Sequence, residues 1–246
     1  MKTRNTMRLY FSIISCVLFL FLGCKDTSST INPDDTTVND STFTDIRDNR
    51  KYTIIKIDTQ IWMSENLQTS TYRNGNPIRY ARTKQEWLDA EKVEEGAWCY
   101  SDHDEQNGKT YGKLYNWYAV NDSRGLAPKG FHVPSDWEWF VLINYLGGKQ
   151  IAGFKMKSTT GWVNNGNGDN SSGFNGLPAG FYECFDPIST VGKNGCWWSS
   201  TETCPIPSKP NLCDGAWFYF LGYSPYGVER ESNPKYVGMS VRCIKD

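Results

Sequence analysis

Histidine is nearly absent from this chain of 246 residues: only His103 and His132 occur. Two histidines so far apart argue against a His-rich metal centre or a His-dependent triad of the usual kinds. Excess charge is missing too. Lys and Arg number 26, Asp and Glu 27, and the formal net charge is −1. That removes the electrostatic case for a nucleic-acid partner. No C-x-x-C occurs among the eight cysteines, and their spacings fit no zinc motif. There is no repeat of fixed period. What the chain has instead is aromatic residues, at 15%, with 10 Trp, 14 Tyr and 12 Phe. Charged residues at 22% are ordinary, so global disorder is excluded and the length allows a real core.

The N-terminus carries Lys2, Arg4 and Arg8 and no acid, followed by an apolar run from Leu9 to Leu22 broken by Ser12, Ser15 and Cys16. The run is too short to span a roughly 30 Å hydrocarbon core and suits a signal segment. No other segment could span a bilayer. The run ends Phe21-Leu22-Gly23-Cys24, which resembles the lipobox of bacterial lipoproteins, with Phe21 where Leu is usual. The resemblance implies a signal peptide over 1–23 and a lipid-bearing Cys24. The alternatives are an ordinary cleaved signal or an uncleaved anchor. Acyl chains partition at roughly 0.8 kcal/mol per methylene, so a multiply acylated Cys24 would hold the chain firmly on a membrane. Loss of 1–23 removes three basic residues and no acid, taking the formal charge from −1 to −4. Such a surface would not adhere to anionic lipid by charge. Residues 24–43 are rich in Ser, Thr, Asp and Asn and read as a flexible tether. Lys25-Asp26 resembles the export signal of some surface lipoproteins, which points to the outer membrane.

Beyond Cys16 and Cys24 six cysteines remain: Cys99, Cys184, Cys196, Cys204, Cys213 and Cys243. An even number outside the cytosol predicts disulfides. Fifteen pairings are open. Loop size favours Cys184–Cys196 and Cys204–Cys213, leaving Cys99–Cys243.

Residues 44–246 read as one α+β domain. Tyr52 to Ile57 alternates as a strand, and Gln60 to Met63 follows as a second. Capping boxes at Thr83/Glu86 and Ser135/Glu138 start two helices, the second stopping at Gly147-Gly148. Tyr111 to Val120 has helical spacing. Residues 158–180 form a long Gly/Asn-rich stretch, and long structured loops are often functional. Strand-like pieces follow at 195–199, 216–221, 226–229 and 237–244.

Three stretches carry a family resemblance: Gln60-Ile-Trp-Met-Ser-Glu-Asn-Leu67; Tyr111-Gly-Lys-Leu-Tyr-Asn-Trp-Tyr-Ala-Val120 with Gly125 to Trp139; and Cys196-Trp-Trp-Ser-Ser-Thr-Glu202 with Ser240-Val-Arg-Cys-Ile-Lys-Asp246. In that order they resemble the Fibrobacter succinogenes major paralogous domain, a family of bacterial surface and secreted proteins, over residues 44–246. The helix start at Ser135 is also similar to a segment of formylglycine-generating enzymes. The resemblance implies a C-type-lectin-like fold with a twisted antiparallel sheet, two to three helices and long loops. Ala127 departs from the pattern, since many relatives carry Cys there.

No catalytic constellation emerges. Formylglycine-type chemistry needs reactive cysteines, and all are assigned to bonds. Ser135 has a capping role, and a nucleophile needs a positioned base. Asp102, Asp104 and Glu105 read as a solvated turn. Asn164, Asn165, Asn167, Asp169 and Asn170 offer oxygens of the kind Ca²⁺ takes. Only one is charged, against the roughly six to eight ligands the ion wants, so no metal or other cofactor is expected. Trp62, Trp117, Trp139, Trp197, Trp198 and Trp217 are assigned to the core. Trp162 and Tyr223, with Asn165, Asn167 and Asp169, are the ligand-binding candidates. The expectation is a lipid-anchored, non-catalytic binding or adhesion module of the cell envelope, taking a glycan or a protein. The alternatives are a surface-assembly subunit without small ligand and an enzyme acting on polysaccharide.

Overall fold

The computed structural model describes residues 41–184, 189–203, 215–223 and 227–246, all within one compact unit spanning 38–246. In chain order its strands and helices are β1 (Ser41–Asp45), β2 (Arg50–Ile57), β3 (Gln60–Met63), β4 (Arg79–Tyr80), α1 (Lys84–Lys92), β5 (Ala97–Cys99), α2 (Glu105–Tyr111), β6 (Leu114–Tyr115), α3 (Trp117–Val120), β7 (Phe131–His132), α4 (Asp136–Tyr145), α5 (Lys149–Met156), β8 (Asn194–Glu202), β9 (Gly215–Gly222), β10 (Glu229–Pro234) and β11 (Ile244–Lys245). This is α+β, as expected.

Three sheets result. One has the order β1-β2-β3-β11-β7, a second β10-β9-β8 and a third β4-β5-β6. The C-terminal segment stitches them together. Gly238 bridges Tyr182, Met239 bridges Tyr115 on β6, and Ser240 bridges Trp197 on β8. Three residues further, the carbonyl of Cys243 accepts from the Met63 N–H at 2.9 Å, and Ile244 pairs with Trp62 and His132. The expected strand over 237–244 is therefore a strap serving all three sheets in turn.

Both capping boxes form. The Thr83 hydroxyl accepts from the Glu86 N–H and the Ser135 hydroxyl from the Glu138 N–H, with each glutamate reaching back to the cap. α4 stops where Gly147 and Gly148 take φ of 103° and 86°, a conformation open chiefly to glycine. The helix expected over Tyr111–Val120 does not form as one piece. Gly112 at φ 82° ends α2, Leu114 and Tyr115 pair with Cys99 and Trp98, and Asn116 caps α3 through the Ala119 N–H. β1 already begins at Ser41, so residues 41–43 belong to the sheet rather than to a tether. β10 begins at Glu229, and of the piece expected at 226–229, Tyr226 lies outside the described residues.

The aromatic wealth fills the core. Trp62, Trp117, Trp139, Trp197 and Trp198 are buried. Trp217 is only half-buried, covered by the Arg230 guanidinium 3.3 Å above its ring. Phe174 is fully buried and touches Trp62, Trp139 and Trp197 at ring distances of 5.9, 5.7 and 5.6 Å. It pins the 158–180 loop to the core.

The expected disulfides Cys184–Cys196 and Cys99–Cys243 do not form. All four cysteines are free and buried. Neighbouring strand residues face opposite sides. Trp98 joins the central core with Cys196 and Cys243, whereas Cys99 points into a separate cluster with Trp87 and Cys184. Each expected pair is thereby split between two cores. Burial raises the pKa of all four thiols, that of Cys243 to about 12, so they behave as apolar side chains. Cys204 and Cys213 lie outside the described residues.

Candidate functional site: a polar cleft beneath the long loop

Of the ligand-binding candidates, Trp162 is misplaced as a surface residue. It is 5% exposed, and its indole N–H donates to the Ser158 hydroxyl at 3.1 Å and the Gly176 carbonyl at 3.2 Å. A ring held this way presents no face to a ligand. Asn165 is exposed at φ 59°. Asn167 Oδ1 accepts the Trp162 N–H at 3.0 Å, Asp169 Oδ1 accepts the Ser171 N–H at 2.9 Å, and Asn170 Oδ1 accepts the Asn175 N–H at 2.7 Å. The loop oxygens thus shape the loop itself. Tyr223 is 38% exposed and lies against the same loop, since a Cβ on Gly166 would sit 2.4 Å from its carbonyl oxygen. The structure brings Tyr223 to the loop but does not gather the five residues around one cavity.

A cavity does open on the loop's other flank. It has a volume of about 430 Å³ and lies between β2, the end of β3 and residues 170–175. Thr53, Ile55, Ser64 and Glu65 line one wall, and Asn170, Ser171, Gly173 and Asn175 the other. The two walls meet closely. Gly173 at φ 70° passes so near the sheet that a Cβ there would lie 2.2 Å from Ile55 Cδ1. Glu65 is half-buried. Its Oε1 accepts from the Thr53 N–H at 3.1 Å and hydroxyl at 3.2 Å, which orients the carboxylate.

Arg242 sits directly behind this cleft. It is fully buried, and its guanidinium donates to the Met63 and Asn175 carbonyls at 3.1 and 3.5 Å, to the Phe174 carbonyl, and to Asn66 Oδ1. Among the described residues no carboxylate bonds to it directly. Burial lowers its pKa to about 9, while the charge of Glu65 pulls the other way. One buried cation behind one oriented carboxylate leaves the cleft close to electrically balanced. Arg242 also fixes the backbone at residues 174–175, so the far wall is preorganised.

A second cavity of about 410 Å³ is lined by Glu94, Trp117, Asp122, Glu202 and Lys235, among others. Three of its charged side chains are engaged with neighbours. Lys235 bonds Glu202 at 3.0 Å and lies 4.9 Å above the Trp117 ring, and Asp122 holds Arg124.

The two residues a nucleophile hypothesis would use are separated by a carboxylate. The Ser135 hydroxyl donates to Glu138 Oε2 at 2.7 Å, and Glu138 Oε1 meets His132 Nε2 at 2.7 Å. Asp246 holds the other ring nitrogen at 2.7 Å. Ser135 therefore has no imidazole base. Asp104 caps α2 through the Gln106 N–H, and Asp102 accepts from the Ser189 hydroxyl at 2.7 Å. Among the described residues no three His, Cys, Asp or Glu side chains cluster as a metal site.

Sequence reasoning missed Glu65, Thr53, Ser171 and Asn175 as cleft residues. Glu65 stands within the Gln60–Leu67 signature, but nothing local marks which later loop it will face. No curated protein and no solved structure matches this chain. The three signature stretches, however, meet at one place: Asn66 from the first, Trp197 and Arg242 from the third, with Tyr111 of the second accepting from Asn66 Nδ2. The model of the Fibrobacter succinogenes major domain matches residues 55–245, and the chain belongs to that family.

Proposed function

We propose that the chain is a lipid-anchored protein of the bacterial outer membrane, carrying a non-catalytic binding domain of C-type-lectin-like fold that takes a neutral glycan in the Glu65 cleft. The observation that carries this reading is the polar cleft set over Arg242. Ligand pockets are commonly about 300–1,000 Å³ and largely apolar. This one has the size but offers a carboxylate, two carboxamides and hydroxyls, with Ile55 as its apolar floor. Carboxamides both donate and accept, and a carboxylate accepts twice. That set reads vicinal hydroxyls, and the charge balance with Arg242 favours a neutral polyol over a cation. The anchoring part rests on the N-terminal sequence ending at Cys24.

The test is binding of the full-length chain, held in lipid nanodiscs, to an array of envelope and plant polysaccharides. Glu65→Gln and Asn175→Ala should each weaken binding at least tenfold while leaving the melting temperature within a few degrees. Binding that survives both changes overturns the cleft assignment. Absence of binding to every glycan moves the reading to a surface-assembly subunit, and release of reducing sugar moves it to an enzyme.

A further inference from the structure

α4 is apolar on two sides. Trp139, Leu142, Ile143 and Leu146 face the core. Opposite them Trp137, Phe140 and Tyr145 stand 67%, 48% and 58% exposed, and Ile151 of α5 is 52% exposed. Positions 137 and 140 are helical neighbours, Tyr145 lies on the same outward half of the helix, and the exposed Asn144 falls between Trp137 and Phe140. The Trp137 and Phe140 rings stack 5.1 Å apart. Large apolar residues on the outward face of a helix whose inner face already packs on the core call for a covering partner. Single exposed apolar residues need no explanation, but several large ones on one side of a helix mark an interaction face.

The charges beside this face are already engaged. Asp136 holds Arg230 at 2.6 and 2.9 Å and the Tyr219 hydroxyl at 2.9 Å. Glu138 is tied to His132 and Ser135, and Lys149 pairs with Glu229. No carboxylate here would be left unpaired by an apolar covering.

The direction of the chain indicates what the covering is. β1 begins at Ser41 opposite Ile54 and runs antiparallel to β2. The described chain therefore begins at the end of β1 that lies toward Ile57, whose side chain packs in one cluster with Leu142, Ile143 and Leu146 of α4. The polar stretch 25–40 precedes that strand end in sequence. Even fully extended it reaches no more than roughly 55 Å.

We propose that the face formed by Trp137, Phe140 and Tyr145, continued by Ile151, docks on the bilayer that carries the lipid anchor. This rests on the reading of Cys24 as the lipid-bearing residue. Trp and Tyr settle at the headgroup level of bilayers, with apolar side chains reaching below. A domain tethered so closely meets its membrane at high effective concentration, so a face too weak to bind from solution suffices. Docking fixes the orientation of the domain and hence the direction in which its cleft opens.

The experiment reconstitutes the lipidated chain beginning at Cys24, purified from membranes, in phosphatidylethanolamine–phosphatidylcholine vesicles with lipids brominated near the headgroup. Flotation reads the anchor. Quenching of the Trp137 signal, taken as wild type minus Trp137→Leu, reads the docking. The expected result is flotation with strong quenching, and a Phe140→Ser/Tyr145→Ser variant that still floats but loses quenching about threefold. Flotation without quenching of Trp137 overturns the docking face and leaves the anchor standing. Failure to float overturns both.

Discussion

Asn66 Oδ1 receives the Arg242 guanidinium and the Trp197 indole N–H, each at 2.8 Å. All three residues are buried. A carboxamide oxygen has two lone pairs, and here a charged and a neutral donor use both. Asn66 is thus the joint through which the end of β3, β8 and the C-terminal strap share one polar centre. Removing it leaves a buried cation short of an acceptor, and such losses cost about 3–5 kcal/mol. Asn66→Ala should lower the unfolding free energy by that order. Trp197→Phe, which keeps the guanidinium bond, should cost about 1–2 kcal/mol. Urea denaturation of the two variants checks this, and equal losses would show that Asn66 is not a joint at all.

A second prediction concerns pH. His132 lies between Glu138 and Asp246. Partial burial lowers its pKa, but the two carboxylates outweigh that and raise it above the ordinary 6.5. A raised pKa on a base means that folding favours the protonated form. The stabilisation is full below the unfolded value and fades as pH rises through the folded one. For Glu138, burial raises the pKa, yet bonds from Ser135 and His132 bring it below 4.5. Its contribution is present above that value and fades on acidification. Urea midpoints should therefore be highest between the two transitions, and His132→Gln should flatten the alkaline limb. An unchanged alkaline limb in that variant would remove His132 from the account.

The thiols give a third. Cys99, Cys184, Cys196 and Cys243 are buried and free. A thiol-reactive dye should leave them untouched in the native protein and titrate all four after denaturation without reductant. Reductant should leave the thermal midpoint of a Cys204→Ser/Cys213→Ser variant unchanged. A drop of ten degrees or more would restore disulfides among the four.

The cleft wall gives a fourth. Gly173→Ala places a methyl 2.2 Å from Ile55 Cδ1 at a positive φ of 70°, which L side chains adopt at a cost. The substitution should destabilise by roughly 1–3 kcal/mol. Pairing it with Ile55→Val, which shortens the facing side chain, should return part of the loss in a double-mutant cycle. Strict additivity would mean that the two walls do not touch.

The parts of this molecule legible in the sequence are those set by neighbours along the chain. Thr83 and Ser135 cap helices because hydroxyl and glutamate lie three residues apart, which no tertiary context alters. β2 and β3 follow from alternation. Trp162 was not legible, because a tryptophan in a Gly/Asn-rich loop looks displayed until its N–H is seen to meet Ser158 and Gly176. The cysteines were misread for a related reason. An even count predicts bridges, but which side of β5 Cys99 faces is decided by pairing with β6. The Glu65 cleft joins residues more than a hundred positions apart, and no local pattern carries that distance.

The strap has a consequence for how the molecule comes into being. β1 opens the first sheet, yet that sheet is completed only by β11, which ends at Lys245. Gly238, Met239 and Ser240 supply bridges to three other segments. A chain emerging N-terminus first therefore cannot complete the two cores that hold Met239, Val241, Cys243 and Ile244 until residues 237–244 arrive. Contacts so distant in sequence form slowly, and partly closed sheets expose pairing edges meanwhile. Cutting off the final nine residues, a small fraction of the length, should leave an unfinished and aggregation-prone chain rather than a slightly shorter domain.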